Sequence, residues 1–182
     1  MFKFAFIMNI PGESPKTYSK VYENAESYSL FAGTGDMDMA AGLVKQLAGE
    51  GFEVINLCGD FDDDITKKFM EITENKMRIL HADFFPEEMK KLEAQASLKE
   101  YGIICIVRGL EQMESFDLLS EDCNTRLMLI RDLDQACSAA VELVNKGIDF
   151  IELCSWFDKE KTQAIIAAIN GKVPVGSCGP IK

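Results

Sequence analysis

The sequence has little positive charge, with 19 Lys and Arg residues against 30 Asp and Glu residues and a net charge of −11. Binding to nucleic-acid phosphates requires a basic face, and anionic membrane surfaces attract basic segments, so neither partner is expected. A small anionic metabolite remains compatible with this acidic composition, because backbone N–H groups at helix N-termini bind anions without net positive charge.

Long apolar runs are also missing. A bilayer-spanning helix takes about 20 apolar residues, and no run in the sequence reaches that length. The apolar N-terminus, residues 1–12, lacks both the basic region and the small-residue cleavage site of a signal peptide. We therefore expect a cytoplasmic protein.

Cysteine pairs with metal-ligand spacing are absent as well. The closest two of the six cysteines are Cys123 and Cys137, whereas zinc knuckles place two cysteines within about five residues of each other. Free thiols buried in a reducing cytoplasm are the simplest interpretation. We expect neither a bound metal nor a cofactor.

One stretch of the sequence occurs twice. Residues 51–62 (GFEVINLCGDFD) recur 96 positions later as residues 147–158 (GIDFIELCSWFD), with Gly, Ile, Leu, Cys, Phe and Asp in register. Self-similarity at a fixed period indicates repeated structural units. We infer an internal duplication, with a first repeat at 1–84, a connecting helix at 85–100 and a second repeat at 101–182.

Apolar segments typical of strands alternate with helical patterns in both halves. Helices are predicted at 36–51, 62–74, 84–100, 132–147 and 158–170, with a short helix within 15–24. This alternation predicts the α/β class with a mainly parallel sheet. Counting the polar segments as helices slightly favours a small (βα)8-like barrel. The alternative is two open α/β or ferredoxin-like lobes with pseudo-twofold symmetry.

Four aspartates stand where predicted helices begin. Asp and other small polar residues are preferred helix N-caps, because their side chains accept hydrogen bonds from the first free N–H groups. The sequence predicts this role for Asp36, Asp62, Asp132 and Asp158. Capping alone accounts for these carboxylates, so they are not counted as site residues.

Three motifs resemble a known family. They are FAFIM at 4–8, IELC at 151–154 and KVPVG at 172–176, and they are similar to the signature of an uncharacterised family of small prokaryotic domains of unknown function. The resemblance covers both halves and implies a fused tandem of that domain. The first half departs from it with KMRIL at 76–80, and the second with Ser155 and Trp156 where the family has two glycines. No activity follows from the resemblance.

The alternation of side chains along the repeated strand indicates one candidate catalytic carboxylate, Glu152. In the predicted strands 53–58 and 149–154, Ile and Leu share the face that suits packing under helices, which leaves Asn56 and Glu152 on the other face. Burying a carboxylate without a partner is costly and raises its pKa. Glu152 is therefore a candidate acid–base group, with a solvent-facing position as the plain alternative.

Further candidates stand at predicted strand ends, where α/β proteins place ligand sites. Cys58 and His81 end neighbouring strands and form a candidate nucleophile and base, although structural thiols are the commoner case. Candidate ligand-binding residues are Asp60, Cys154, Trp156 (an apolar lid or subunit contact), and Gly33 with Gly35, which precede a helix start and suit an anion.

Two functions fit these features. The first is a small-molecule-binding or assembly module whose duplication builds a pseudo-symmetric core, with a homo-oligomer possible. The second is a lyase- or isomerase-type enzyme that acts on a small anionic metabolite at the carboxyl ends of the strands. The sequence contains no complete catalytic motif, which favours the first function.

Overall fold

The computed structural model describes every residue from Met1 to Lys182 and divides into two compact units, Met1–His81 and Ala82–Lys182. The first unit contains β1 (Phe2–Asn9), β2 (Ser19–Glu23), β3 (Ser27–Thr34), α1 (Met37–Gly49), β4 (Val54–Leu57), α2 (Asp63–Ile72) and β5 (Arg78–His81). The second contains β6 (Asp83–Phe84), α3 (Pro86–Glu93), β7 (Glu100–Ile106), β8 (Glu114–Leu119), β9 (Asn124–Ile130), α4 (Leu133–Asn145), β10 (Phe150–Leu153), α5 (Lys159–Ala168) and β11 (Val175–Ser177).

The sheet of the first unit has the strand order β2-β3-β1-β4-β5. Strands β3, β1, β4 and β5 are parallel, and β2 pairs antiparallel with β3. Helix α1 connects β3 to β4, which lie on either side of β1, and α2 connects β4 to its neighbour β5. Parallel strands require such crossover connections. The chain passes from β1 to β3 through the β2–β3 hairpin, without a helix.

The sheet of the second unit repeats this order and adds one strand. Its order is β6-β11-β10-β7-β9-β8, in which β8 pairs antiparallel with β9, as β2 does with β3. The extra strand, β6, pairs antiparallel with β11 at the other edge. The predicted α/β class, the mainly parallel sheets and the internal duplication are confirmed.

The helices cover one face of each sheet. The buried stripe of α1 consists of Ala40, Leu43, Val44 and Leu47, and burial of each leucine contributes roughly 1.5–3 kcal/mol. In the second unit, a Cβ placed on Gly102 would meet Leu143 of α4 and Ile151 of β10. The Ile/Leu face of the repeated strand therefore packs under helices, as predicted. No helix in the chain is both long and apolar enough to cross a membrane.

The four predicted N-caps are confirmed. Each aspartate side chain accepts a hydrogen bond from the backbone N–H three residues later, at 2.8–3.0 Å. These bonds satisfy N–H groups that have no partner within the helix. In the stretch between the repeats, the helix covers Pro86–Glu93 and belongs to the second unit.

The predicted (βα)8-like barrel is wrong, because both sheets are open and end in edge strands. The reason lies in the polar segments that were counted as helices. Residues 19–23 and 114–119 are strands whose side chains alternate between exposed and half-buried positions. This two-residue period is that of an edge strand. An antiparallel edge strand takes the place of a crossover helix in each unit, and the structure consists of two open α/β units instead.

Candidate functional site

The eight residues nominated from the sequence divide between the two units. The first unit holds Gly33, Gly35, Cys58, Asp60 and His81, and the second holds Glu152, Cys154 and Trp156. Each unit therefore presents its own set of candidate groups.

Cys58 lies directly after β4 and is buried. The backbone N–H of Asn9, which ends the neighbouring strand β1, donates to the Cys58 Sγ over 3.3 Å. The Asn9 side-chain amide donates to Asp60 Oδ2 over 3.2 Å. Asn9 thus joins Cys58 and Asp60 at the carboxyl end of the sheet, beside the point where the strand order reverses. Open α/β sheets bind ligands at such points.

His81 ends β5 but faces away from Cys58. Its register partner on β4 is Leu57, and successive side chains of a strand point to opposite faces, so Cys58 and His81 lie on different faces of the sheet. The His81 Nδ1 is 3.0 Å from Thr66 Oγ1 on α2, and its Nε2 is 3.7 Å from Asp63 Oδ1. The structure brings the two nominated residues to the same edge without arranging them as nucleophile and base.

Gly33 and Gly35 are approached by the chain's own loop. A Cβ on Gly33 would lie 2.8 Å from the Tyr18 ring, and a Cβ on Gly35 would lie 2.8 Å from the Glu13 carbonyl oxygen. The N–H of Gly33 donates to the Tyr18 carbonyl over 2.8 Å. Both glycines therefore permit close packing of the segment that precedes β2.

Glu152 is a buried carboxylate, 2% exposed, on the sheet face opposite the helices. The hydroxyl of Tyr101 on β7 donates a hydrogen bond to its Oε2, and the Tyr101 ring stacks on Phe150 with centroids 4.6 Å apart. On the other side, the Phe84 ring lies over Gly176, the register neighbour of Glu152. The carboxylate is thus buried and accepts a hydrogen bond from the Tyr101 phenol.

Three cysteines lie side by side across the second sheet. The register pairs Ile104 with Leu153 and Leu153 with Ser177. The next residues on these strands are Cys105, Cys154 and Cys178, which therefore form a row at the carboxyl end of the sheet. We call these three residues the thiol row. No group of His, Cys, Asp and Glu side chains in the chain has an arrangement that could hold a metal ion.

The pKa values of the Cys105 and Cys154 thiols are shifted in opposite directions. Burial raises the pKa of Cys105 well above its usual value, and the hydrogen bond that its thiol donates to Cys154 raises this pKa further. Burial also acts to raise the pKa of Cys154. It is outweighed there by hydrogen bonds from the Cys105 thiol and from the N–H groups of Trp156 and Ile106, so the pKa of Cys154 is lowered. The N–H of Ile106 is 3.4 Å from the Cys154 sulfur.

Trp156 is half-buried beside the start of α5. Its ring meets Phe157 edge to face with centroids 5.0 Å apart, and the Lys161 ammonium lies 5.0 Å from the ring centroid. The same ammonium pairs with Asp158, the N-cap of α5. These contacts fix Trp156 within its own unit.

The sequence did not indicate a cleft in the first unit, at the amino ends of β4 and β5. It has a volume of about 770 Å³, and its apolar wall includes Phe52, Met70 and Met77. Two exposed cations, Lys76 and Arg78, also line it. We call this the amino-end cleft. Its size and mixed lining are typical of small-molecule sites.

The outer strand of this cleft presents a backbone donor. The N–H of Arg78 donates to the Glu53 carbonyl on the β4 side over 3.0 Å. In a parallel strand the next N–H, that of Ile79, faces the opposite way. Because β5 is an edge strand of its sheet, this N–H points away from β4, and Ile79 lines the cleft.

The corresponding place in the second unit is filled by α3 and the residues after it. The N–H of Val175, the counterpart of Ile79, donates to Oε2 of Glu88 on α3 over 3.0 Å. Lys91 Nζ reaches the Gly171 carbonyl over 3.1 Å, and the Gln95 side chain reaches the Asp149 carbonyl over 3.0 Å. The cleft of the first unit therefore corresponds to a surface that a carboxylate-bearing helix covers in the second.

One signal for the cleft was present in the sequence. Arg78 stands where the second repeat has Pro174, within the KMRIL segment that departs from the family pattern.

A second groove, of about 620 Å³, also lies in the first unit and is lined by Tyr28, Leu30 and Leu43. It forms because no crossover helix connects β1 to β3, which leaves this part of the helix-bearing face less covered.

The fold and the cleft define a two-repeat α/β protein with an open surface in its first repeat. The chain belongs to the DUF6506 family, a family of unknown function, whose model matches residues 2–97 and again residues 99–179. The predicted tandem of an uncharacterised domain is confirmed. No curated protein matches the sequence.

Two solved structures show weak similarity. One is a carbohydrate transporter from Acidothermus cellulolyticus 11B in complex with myo-inositol, with 8% identity over 97% of this chain and 73% of that one and a TM-score of 0.35. The other is a solute-binding protein of an ABC transporter system from Conexibacter woesei DSM 14684, with 14% identity over 96% and 69% and a TM-score of 0.30.

Proposed function

We propose that the protein is a small-molecule-binding module whose amino-end cleft takes an anionic ligand with a carboxylate and an apolar body. One observation carries this proposal. In the second repeat, the N–H that corresponds to that of Ile79 donates to the carboxylate of Glu88, and this contact supports a carboxylate as the group that binds at the Ile79 position.

Charge supports an anionic ligand at this position. The chain has a net charge of −11, yet two cations, Arg78 and Lys76, line the cleft against one carboxylate, Glu53. Lys76 pairs with Glu74, so the anion site rests on Arg78, which stands where the second repeat has a proline. A guanidinium forms two parallel hydrogen bonds with a carboxylate. A hydrogen bond to a charged group contributes roughly 1.5–3 kcal/mol, which corresponds to about a tenfold to hundredfold change in affinity.

The wall of the cleft supports an apolar ligand body. Phe52, Met70 and Met77 are the larger apolar side chains around the cationic rim. Methionine side chains adapt to ligands of different shape. A medium-length alkyl or aryl carboxylate places its chain against this wall and its charge beside Arg78.

Octanoate and 3-phenylpropionate are suitable probes, with octanamide as the uncharged analogue. Isothermal titration of the full-length protein should show binding of the two carboxylates and at least about tenfold weaker binding of the amide. Arg78→Gln should weaken carboxylate binding by a similar factor. Lys45→Gln, which removes the same charge from an exposed position on α1 outside the cleft, should have no such effect.

Equal affinity for octanoate and octanamide, or an Arg78→Gln variant that binds as the wild type does, would refute the anion site. If none of the three probes binds but a peptide of residues 82–97 does, the result would instead support the assembly role. The ligand of the cleft would then be a strand–helix segment.

The second candidate function is the lyase- or isomerase-type enzyme acting on a small anionic metabolite. The buried pairing of Glu152 with the Tyr101 hydroxyl favours it, because enzymes tune acid–base carboxylates by burial and by such hydrogen bonds. Cys58, His81, Asp60, Cys154 and Trp156 remain its proposed further residues. Incubation with metabolite mixtures, followed by mass spectrometry, should then show turnover that Glu152→Gln removes. A conversion unaffected by this substitution would exclude Glu152.

A further inference from the structure

We propose that Cys105 and Cys154 of the thiol row are a redox pair that a hydroperoxide converts to a disulfide. This inference is independent of the amino-end cleft and concerns the carboxyl end of the second sheet.

The positions of the two residues suit a disulfide. Cys105 and Cys154 directly follow Ile104 and Leu153, which are register partners on neighbouring parallel strands. Neighbouring strands are about 4.8 Å apart. Disulfides join residues with Cα atoms roughly 4.4–6.8 Å apart. Both side chains point to the same face of the sheet, because each residue directly follows one member of that register pair. Side-chain rotation brings them to bonding distance.

The surroundings assign different roles to the two sulfurs. The N–H of Ile106 points at Cys154 over 3.4 Å, and the N–H of Trp156 and the Cys105 thiol also donate to it. Three donors around one sulfur stabilise its thiolate, which is the form that attacks oxidants. Cys105 is fully buried and keeps its proton. Cys154 is therefore the attacking sulfur and Cys105 the resolving one.

The reaction balances in two steps. The Cys154 thiolate attacks one peroxide oxygen, the O–O bond breaks, and the leaving alkoxide or hydroxide takes up a proton, which leaves Cys154 as a sulfenic acid. The Cys105 sulfur then attacks the Cys154 sulfur, the S–O bond breaks, and the hydroxyl departs as water with the Cys105 proton. Two thiols and one hydroperoxide give one disulfide, one alcohol or water, and one further water.

The first repeat supplies a matched control within the same chain. Cys58 is the counterpart of Cys154 and also accepts a backbone N–H, that of Asn9. Leu57, the residue before Cys58, pairs with Ile7 and His81. The residues that follow these two, Met8 and Ala82, carry no thiol.

The test uses hydrogen peroxide, which is small enough to reach a nearly buried sulfur. After treatment, the denatured full-length protein should retain four of its six free thiols, and peptide mapping without reduction should identify a Cys105–Cys154 link. Dithiothreitol should restore all six thiols. Cys154→Ser and Cys105→Ser should each abolish the link, whereas Cys178→Ser and Cys58→Ser should preserve it.

Six thiols after peroxide treatment of the wild type, or oxidation to sulfinic acid without a disulfide, would overturn the proposal. A Cys154–Cys178 link in the wild type would overturn the assignment of Cys105 as the resolving residue. The wild-type peptide map decides between these outcomes even where a serine variant fails to fold.

Discussion

The backbone N–H of Val175 donates to the Glu88 Oε2 over 3.0 Å, and the other oxygen of that carboxylate accepts from Lys91 over 2.6 Å. Glu88 is 4% exposed, whereas the Lys91 side chain is 38% exposed, so a buried carboxylate in a half-buried ion pair satisfies a backbone donor of β11. This bond fixes α3 to the second sheet, and it also provides the template for the ligand proposed in the first.

Glu88→Gln should destabilise the protein, because the substitution leaves Lys91 without its charged partner and weakens the bond to Val175. Weakening the hydrogen bonds of a buried carboxylate costs about 1–3 kcal/mol, whereas the charge of the half-exposed Lys91 is screened by solvent and adds little. Urea unfolding followed by circular dichroism measures the change in the free energy of unfolding.

The matched control is Glu87→Gln on the same helix. Glu87 pairs with Lys90 at 3.0 Å, but both side chains are about three-quarters exposed (78% and 70%), and exposed pairs contribute roughly 0–1 kcal/mol. Equal effects of the two substitutions would contradict a structural role for the Glu88 carboxylate.

Two glycine-to-alanine substitutions should change the free energy of unfolding in opposite directions. A Cβ on Gly176 would lie 2.5–2.8 Å from three atoms of the Phe84 ring, so Gly176→Ala should cost about 1–3 kcal/mol through overpacking. Gly42 lies in the exposed part of α1 with nothing near its Cβ position, so Gly42→Ala should stabilise the protein by about 0.5–1 kcal/mol. Thermal unfolding compares both with the wild type; a Gly176→Ala variant as stable as wild type would show that the ring gives way freely.

The Asp158 carboxyl should titrate below its usual range. The Lys161 ammonium and then the Lys161 backbone N–H hold its pKa down. Lys161→Met should move this pKa up toward its ordinary value of about 3.9, as measured by NMR titration of the carboxyl carbon. Lys159→Met, an exposed neighbour, is the control and should leave the titration unchanged.

The sign of the effect on stability follows from the lowered pKa. The contribution of ionised Asp158 is fully present above the pKa of the unfolded chain and is lost as the pH falls through the lower folded pKa. Below about pH 4, Lys161→Met should therefore lose less stability on acidification than the wild type does. Identical pH profiles would show that Lys161 does not act through this carboxylate.

Thiol labelling should single out Cys137, because the other five cysteines are buried. A bulky disulfide reagent at neutral pH should modify Cys137 first and leave Cys58 and Cys154 unmodified in the folded protein. Burial and then the Asp134 charge raise the Cys137 pKa. Asp134→Asn should therefore accelerate labelling, since more of the thiol ionises. Rapid modification of Cys58 in the native state would contradict its buried position.

The architecture was largely predictable, because the repeat at 51–62 and 147–158 contains the helix end, the buried strand and the next N-cap in order. The closure of the sheets was not. Residues 19–23 and 114–119 mix polar and apolar side chains, and such a segment indicates an edge strand or a helix equally well until its partner strand is known.

The candidate site was less predictable than the fold. Alternation placed Glu152 on the correct face, but the separation of Cys58 from His81 depends on the pairing of Leu57 with His81, which only the register supplies. The amino-end cleft was missed because a helix from a distant part of the chain fills its counterpart. The difference between Arg78 and the proline of the second repeat indicates that this position has diverged, but it does not predict a cavity.

The sequence repeats and the spatial units do not share a boundary. The first family match runs to residue 97 and contains α3, yet α3 belongs to the unit that begins at Ala82. Cutting the gene at the family boundary would thus strip the second sheet of the segment that seals its outer strand. The second repeat alone would then expose the unpaired backbone groups of β11, which favour pairing with other chains. Fusion of the two repeats keeps the covering segment and the sheet on one polypeptide.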